Sequence, residues 1–554
     1  MEPSETALVT DLAPPLELAG PARPRFLVHM SPLHLPSEQV DVLVVGGGVA
    51  GLSAAIASAE HCSTLALLKG SRTKTATDWA QGGMAAVLSE ADSVDLHVKD
   101  TTAVAAGLAH DDVVAEIVGD GPRVVQRWLE WGGQFDKGDD GKLLLAMEGG
   151  HSKERIIHAN GDQTGAEIQR LLIARAAAMP RLAVREETFV LDLVTQGDSV
   201  RGVIAWSHEL GYHVVWAGST ILCTGGIGRV YRESSNPKVA TGDGIAMAYR
   251  AGATLRGMEF VQFHPTVLYV AGMARFLVSE TARGEGGKLV DRTGERFMPD
   301  YHPDAELAPR DVVSRAIITQ LAKVRDTHVY LDMRHLSTGH LQHRFPVIFR
   351  ACADFGIDMA NELIPVHPAA HYMVGGVASD STGRTNLVGL YVAGEVGSTG
   401  FHGANRMGSN SLLEGAVVGD RAGRDAALCQ RKPRMGTDAE PHPARASHAG
   451  SLDPNDLDDA LRSLMWRMVS IERDGAKLEA AARRLAAWNG IVTQRVLGDP
   501  FGWSLVNKLT VSELITQAAR ARTESRGTHY RRDFIERDDA EWQRDIHIRR
   551  ESAT

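Results

Sequence analysis

One segment, Asp41–Ala55 (DVLVVGGGVAGLSAA), constrains the fold of this chain more than any other. Four consecutive aliphatic residues, Val42 to Val45, stop at glycine, which predicts a short strand buried on both faces. Gly46, Gly48 and Gly51 follow at G-x-G-x-x-G spacing, and Leu52 to Ala59 continues with small and apolar helix formers. Strand, glycine turn and helix in this order form the context in which that spacing holds a dinucleotide. Gly46 permits the tight turn, Gly48 lets the backbone approach a pyrophosphate, and Gly51 lets helix and strand pack closely. The pyrophosphate lies on free N–H groups at the helix start, where Val49 and Ala50 stand.

The NAD form of this arrangement also carries an acidic residue roughly 20 residues further on, to hold the ribose. Here the second strand, Thr64–Leu68, ends in Lys69-Gly70 and offers no carboxylate. A plain NAD site is disfavoured, and FAD stays open provided other segments contribute. Two do. Thr220–Gly228 is a second buried strand running into glycines, and Gly389–Glu395 is a third that closes on an acid. The region between them is richer in His, Arg and Pro and alternates less between strand and helix. The pattern predicts an α/β + α fold: an FAD-binding Rossmann-like domain, an inserted α+β capping domain and a C-terminal helical bundle. A flavin would supply hydride chemistry, and the protein orientation and electrostatics.

The expected boundaries are 39–256 and 373–429 for the FAD-binding domain, 257–372 for the cap, 430–452 for a polar linker and 453–554 for the helical domain. In the last of these, Leu457, Leu461, Leu464, Met465 and Met468 recur at helical spacing as a core stripe. Residues 1–38 are Pro-rich and read as a disordered extension. Residues 110–131 show helical periodicity that Gly119, Gly121 and Pro122 should break into two pieces. Lys288–Val290 and Arg296–Met298 flank the turn Asp291–Gly294 as a hairpin.

The 554 residues are 44% hydrophobic and 23% charged, which is ordinary for a globular protein with a large core. A net charge of −10 gives no general case for nucleic acid or an acidic membrane as partner. No apolar run approaches the ~20 residues of a membrane-spanning helix. The N-terminus lacks a basic-then-apolar signal pattern, so a cytoplasmic location is expected. Cys62, Cys223, Cys352 and Cys429 lie far apart without a C-x-x-C pair, so neither a metal site nor a disulfide framework is expected.

Several loops carry chemistry. The Gln81-Gly82-Gly83 turn is polar and flexible enough to lie against a flat ligand. Glu148-Gly-Gly-His-Ser152 places a carboxylate, an imidazole and a hydroxyl around a Gly-Gly pivot, and Asp243 is the first-turn acid of a helix. The inserted and returning segments hold Gln262, His264, Ser279, Glu280, Arg283, Arg310, His371 and Arg406. Several arginines and two histidines at turns and helix ends suit a dicarboxylate, because arginine binds carboxylates bidentately and stays charged. Pro309 near the first position of its helix puts Arg310 at the positive end.

Taken together, Ala80-Gln-Gly-Gly83, Gln262-Phe-His-Pro-Thr266, Arg283-Gly-Glu-Gly-Gly287, Pro309-Arg-Asp311, His371-Tyr372 with Gly375-Gly376, Gly394-Glu395 and Gly403-Ala-Asn-Arg-Met-Gly-Ser-Asn-Ser-Leu412 resemble the succinate dehydrogenase/fumarate reductase flavoprotein superfamily over about residues 39–425. Within it the chain is most similar to the L-aspartate oxidases. Ala76 stands where the membrane respiratory enzymes carry the histidine that tethers FAD, so the resemblance implies noncovalent FAD. Glu148 belongs to a loop that lacks this carboxylate in the succinate enzymes, and a carboxylate there suits an α-ammonium group.

The resemblance implies oxidation of L-aspartate to iminoaspartate, with oxygen or fumarate reoxidising the flavin and quinolinate synthase as a transient partner in NAD biosynthesis. It implies that His264, His371 and Arg406 clamp the substrate carboxylates with help from Ser279, that Gln262 and Glu280 also belong to the substrate site, and that Glu148 orients the ammonium. Arg310 falls at the family's proton-transfer position, although a guanidinium with a pKa above ~12 also suits a purely electrostatic clamp. Gly46, Gly48, Val49, Ala50, Gly51, Lys69, Ala76, Thr77, Gln81, Gly82, Gly83, Asp243, Glu395, Ser411 and Leu412 are the implied FAD contacts. Two readings compete with this one. A soluble fumarate reductase or succinate dehydrogenase flavoprotein would share the clamp, and a flavin-binding assembly protein would have no use for a buried cationic cluster.

Overall fold

The computed structural model describes residues 12–28, 30–270, 276–435, 452–495 and 497–551. Most of the expected linker, 436–451, lies outside the described residues, as do residues 1–11 of the expected extension.

The chain begins with β1 (Leu16–Gly20), β2 (Ser37–Val45), α1 (Val49–Ala59) and β3 (Thr64–Leu67). A helix α2 (Asp111–Glu130) leads on to β4 (Leu182–Arg185), the meander β5 (Phe189–Gln196), β6 (Ser199–Ser207) and β7 (Gly211–Leu222), and then α3 (Asp243–Ala251) and β8 (Leu255–Arg256). The cap contains β9 (Val261–Leu268), β10 (Phe276–Leu277), β11 (Lys288–Val290), α4 (Arg310–Val324), β12 (Val329–Asp332) and β13 (Ile364–Met373). The chain returns through β14 (Gly376–Ala378), β15 (Leu390–Val392), β16 (Gly397–Ser398) and α5 (Asn410–Leu428). The tail holds α6 (Pro454–Met468), α7 (Gly475–Val492), α8 (Pro500–Ala521) and β17 (Ile546–Arg550).

The main sheet runs β4-β3-β2-β7-β6-β5, with β15 beside the end of β7. Val42–Val45 lie in parallel register with Ser219–Leu222 on one side and Thr64–Leu67 on the other, and Thr220–Leu222 pair with Leu390–Val392. The three glycine-ended strands are therefore neighbours, and their carboxyl ends open on one edge of the sheet, where ligands of such folds bind. The continuous apolar run of β2 has its reason here. Val42 and Val44 face a core shared with α1, α2 and α5, whereas Leu43 and Val45 face a second core shared with α3 and the tail helices. The tail stripe Leu457, Leu461, Leu464 and Met465 is buried in that second core, and Met468 lies half-buried at its margin. The cap sheet is antiparallel in the order β10-β9-β13-β12-β11.

Three expectations are corrected. Residues 12–28 and 30–38 are folded onto the molecule. β1 pairs in parallel with β17, at the edge of a sheet that continues through β8, β14 and β16. Phe26 and Val28 are buried against Trp503 and Trp216, and the Leu27 N–H donates to Asp192 Oδ2 at 2.7 Å. Proline-rich composition reports little regular structure; it says nothing about packing.

Second, α2 is a single helix through Pro122. A mid-helix proline costs ~3 kcal/mol. Val113, Val114, Ile117, Val118, Val124, Val125 and Trp128 are all buried on one face of it, each worth about 1.5–3 kcal/mol, so burial wins. Third, the expected hairpin shrinks to a single bridge between Val290 and Arg296, and Met298 starts a 3-10 turn. Glu306 intervenes: it accepts from the Leu289 N–H at 3.0 Å and pairs with Arg296 at 2.6 Å, so β11 finds its partner in β12.

Candidate active site

A cavity of about 560 Å³ lies between the open edge of the main sheet and the cap. Gly46, Gly48, Val49 and Ala50 line it from the β2–α1 turn; Ala76, Thr77, Gln81, Gly82 and Gly83 line it from the loop that follows β3. Lys69, Asp243, Glu395, Ser411 and Leu412 complete this half of the wall. Gly51 stays out of the wall and serves the packing of α1 on its own turn, since a Cβ there would stand 2.1 Å from the Gly46 carbonyl oxygen.

Three expected contacts differ from the simple motif reading. The Val49 N–H, counted as a free donor at the helix start, donates to Thr77 Oγ1 at 2.9 Å. Lys69 and Asp243, expected as separate contacts, form one ion pair at 2.8 Å, into which Thr241, Ser504 and Asn507 hydrogen-bond. This explains a lysine at the end of β3: it answers the first-turn acid of α3.

The wall suits a long polar ligand. Gly225, with φ 73°, lines it with nothing within 4 Å of where a Cβ would stand, so a ligand can lie directly on the backbone there. Glycine turns on one side, and Gln81, Thr224 and Asn236 among the polar residues that line the other, fit FAD. Burial pushes the Glu395 carboxyl up to about 7, although the Met373 N–H (2.8 Å) and Arg406 act in the opposite direction.

At the other end, the cap delivers the groups expected to meet a dicarboxylate. His264 comes from β9, Ser279 and Glu280 from the short helix that follows β10, Arg310 from the first position of α4, His371 from β13 and Arg406 from the loop before α5; all line the cavity. Glu148 joins them from the other domain. The charged groups converge on Gly408, where a Cβ would meet Glu148 Oε2 at 2.9 Å, Arg310 Nη2 at 3.2 Å and Glu280 Oε2 at 3.4 Å. Gln262 lies behind the wall, and its Oε1 accepts from Arg310 Nη1 (3.2 Å) and from Arg406 Nε and Nη2 (3.2 and 3.0 Å).

The two carboxylates differ in what they already hold. Glu280 accepts from Arg310 Nε at 2.6 Å and pairs with Arg283 at 3.2 Å. Burial alone would raise its carboxyl, but Arg310 and Arg283 hold it below the ordinary carboxylate range. Among the described residues Glu148 accepts only from neutral hydroxyls, Ser409 at 2.6 Å and Thr281 at 3.5 Å. Both histidines are held neutral. Burial, then Arg310, keeps His264 well below its ordinary pKa, and burial, then Arg406, does the same for His371. The rings meet edge to face with centroids 5.1 Å apart. His264 Nδ1 accepts from the Thr266 N–H at 3.3 Å, which leaves its proton on Nε2. Burial and Arg310 bring Arg406 down to about 10, and its guanidinium lies 4.7 Å over the Tyr372 ring.

Sequence reasoning missed Ser235, whose Oγ sits 3.0 Å from His371 Nδ1, and Ser409, the partner of Glu148. Ser409 has a positive φ of 61° within a Gly-Ser-Asn-Ser run, a sign of a functional turn. Ser411 was read as a cofactor contact. It lines the cavity and also braces Arg406 Nη1 at 3.0 Å.

A family model described as FAD binding domain matches residues 41–412, and one described as fumarate reductase flavoprotein C-term matches residues 501–553. The L-aspartate oxidase of Streptomyces coelicolor is 41% identical over 541 residues, covering 93% of each chain. That of Mycobacterium bovis is 43% identical over 506 residues, covering 90% of this chain and 93% of its own. Among solved structures, an E. coli quinol fumarate reductase matches with a TM-score of 0.86 at 33% identity, over 92% of this chain and 94% of that one. The glycine-ended strands, the glycine-lined cavity and the cationic cap agree with these likenesses: the chain belongs to the L-aspartate oxidase family of the succinate dehydrogenase/fumarate reductase flavoproteins.

Proposed function

We propose that this chain oxidises L-aspartate to iminoaspartate, with noncovalently bound FAD as electron acceptor and oxygen or fumarate reoxidising the cofactor. The observation that carries the reading is Glu148: a buried carboxylate at the cationic end of the cavity whose hydrogen-bond partners among the described residues are neutral hydroxyls. It holds negative charge in reserve for a cation, and the α-ammonium of aspartate supplies one. Succinate offers it nothing to pair with, so the same group discriminates against succinate.

The bound flavin supplies an acceptor for the hydrogen that leaves the substrate Cα with its electron pair. The chain's residues do the rest. Arg406 and Arg310 attract the two carboxylates, and His264 and His371, held neutral, act as N–H donors with the Ser279 hydroxyl beside them. Glu148 receives the ammonium and lies where it can accept the proton that nitrogen gives up. Arg310 has Nε, Nη1 and Nη2 turned to Glu280 and Gln262, which favours its role as a fixed positive charge. Ala76 lines the cavity with a methyl group and has no nucleophile for a covalent flavin link. Iminoaspartate is then the substrate of quinolinate synthase in NAD biosynthesis, met as a transient partner in the cytoplasm. Among the described residues no helix is long and apolar enough to cross a membrane.

The test is flavin absorbance under anaerobic mixing. Prompt bleaching by L-aspartate, with none by succinate or D-aspartate, is expected. Bleaching by succinate alone would assign the chain to the dicarboxylate dehydrogenases and remove Glu148 as selector.

A further inference from the structure

Gln262 has one amide oxygen, and both active-site arginines use it. Which end of the amide faces them is decided behind it. Gln262 Nε2 donates to Asn405 Oδ1 at 2.9 Å and to the Arg406 carbonyl oxygen at 2.7 Å. Asn405 is oriented in turn, because its Nδ2 donates to Asp311 Oδ1 at 3.1 Å. The other oxygen of Asp311 accepts from Arg315 Nη1 at 2.9 Å. Arg315 ends the chain on the C-terminal segment, donating to the Gly527 carbonyl at 3.3 Å with its guanidinium 5.2 Å over the Tyr530 ring.

The turn that carries Gly527 also grips the loop of Arg406 directly. Thr528 donates to the Ala404 carbonyl oxygen through its N–H (3.0 Å) and its Oγ1 (3.1 Å). Gly527, with φ 52°, lies so close that a Cβ would stand 2.5 Å from the same oxygen. The turn is itself anchored in buried ion pairs, Arg526 on Glu524 and Arg522 on Glu259 and Glu524.

We propose that the C-terminal turn Arg526–Tyr530 is a positioning element for the reaction: through Arg315, Asp311 and Asn405 it sets the orientation of Gln262, and so holds Arg310 and Arg406 where the substrate carboxylates need them. The physical reason is that a flipped amide would turn an NH2 group toward two cations. None of Arg315, Asp311 and Asn405 lines the cavity, so they act through other residues. The inference rests on the proposed oxidation of L-aspartate.

The experiment compares wild-type holoenzyme with Arg315→Gln, Arg315→Lys and Gly527→Ala by anaerobic stopped-flow, which separates the limiting rate of flavin reduction by L-aspartate from Kd. FAD content and Tm are recorded alongside. Arg315→Gln is expected to lower the limiting rate about tenfold, the scale of a modest misplacement of catalytic groups, with a smaller change in Kd and FAD content and Tm unchanged. Arg315→Lys, which can still pair with Asp311, should recover most of the rate, and Gly527→Ala should reproduce the loss from the C-terminal side. A limiting rate for Arg315→Gln within about twofold of wild type overturns the proposal. So does a loss that tracks FAD content and Tm in all three variants, which would mark a purely structural role. The same comparison with reduced enzyme and fumarate judges the turn even if wild type ignores L-aspartate, an outcome that would overturn only the substrate reading.

Discussion

At the scale of single residues, the site is a set of charges whose partners decide their use. Glu280 is held by Arg310 and Arg283, whereas Glu148 accepts from the Ser409 hydroxyl, which in the proposed reading leaves it for the substrate ammonium. Glu148→Gln should therefore raise KM for L-aspartate by ten-fold or more, on the order of a lost charge-assisted hydrogen bond, and leave KM for fumarate nearly unchanged. Steady-state kinetics with each substrate would read this, and equal effects on both would count against the assignment.

Glu395 makes a second prediction at this scale. Burial raises its carboxyl from the ordinary 4.5 to about 7. Between those values the native apoprotein retains a proton that the unfolded chain has released. Stability from this group is therefore full below pH 4.5 and falls as pH rises to about 7, by about 3 kcal/mol at the limit. Glu395→Gln cannot ionise and can still accept from the Met373 N–H. In urea melts of the apoprotein it should gain on wild type across that window, and parallel pH curves would refute the buried ionisation.

At the scale of elements, α1 and α5 approach almost backbone to backbone. A Cβ at Gly419 would stand 2.5 Å from the Ala50 carbonyl oxygen, and one at Gly423 would stand 2.3 Å from that of Ala54. This contact sets where the N-terminus of α1, and with it the β2–α1 turn, sits in the cavity wall. Alanine is the better helix former by about 1 kcal/mol, yet Gly419→Ala should destabilise by about 1–3 kcal/mol, because overpacking against backbone leaves nothing free to move. It should also weaken FAD binding. Gly490 in α7 is exposed with open space around it, so Gly490→Ala should stabilise by roughly 0.5–1 kcal/mol. Chemical denaturation of the two variants gives opposite signs if close approach, and not helix propensity, governs α5.

At the scale of the whole molecule, the two ends of the chain close one sheet. β1 lies on β17, and Phe26 and Val28 cover Trp503 of α8. Removing residues 1–30 should lower the urea midpoint by an amount corresponding to about 4 kcal/mol, from two large apolar side chains at about 2 kcal/mol each. No described residue of 12–30 lines the cavity, so KM for L-aspartate should not move. An unchanged midpoint would mean that this strap contributes nothing to stability.

The local features of this protein were legible in its amino-acid sequence. The apolar run Val42–Val45 and its glycines, the matching ends at Gly225 and Gly394, and Pro309 before Arg310 made the strands, turns and helix start legible, because each depends on neighbours in the chain. The long motifs likewise pointed to His264, Arg310, His371 and Arg406, which meet in one cavity. Features that depend on partners far away in the chain emerge once the chain is folded. Pro122 does not break α2, because burial against the core outweighs one lost hydrogen bond. Glu306 takes the N–H that would have closed the hairpin after β11. Val49 is capped by Thr77, and Lys69 is neutralised by Asp243. Above all, two similar glutamates stand in opposite surroundings, Glu280 between two guanidinium groups and Glu148 beside hydroxyls, and sequence spacing does not carry those distances.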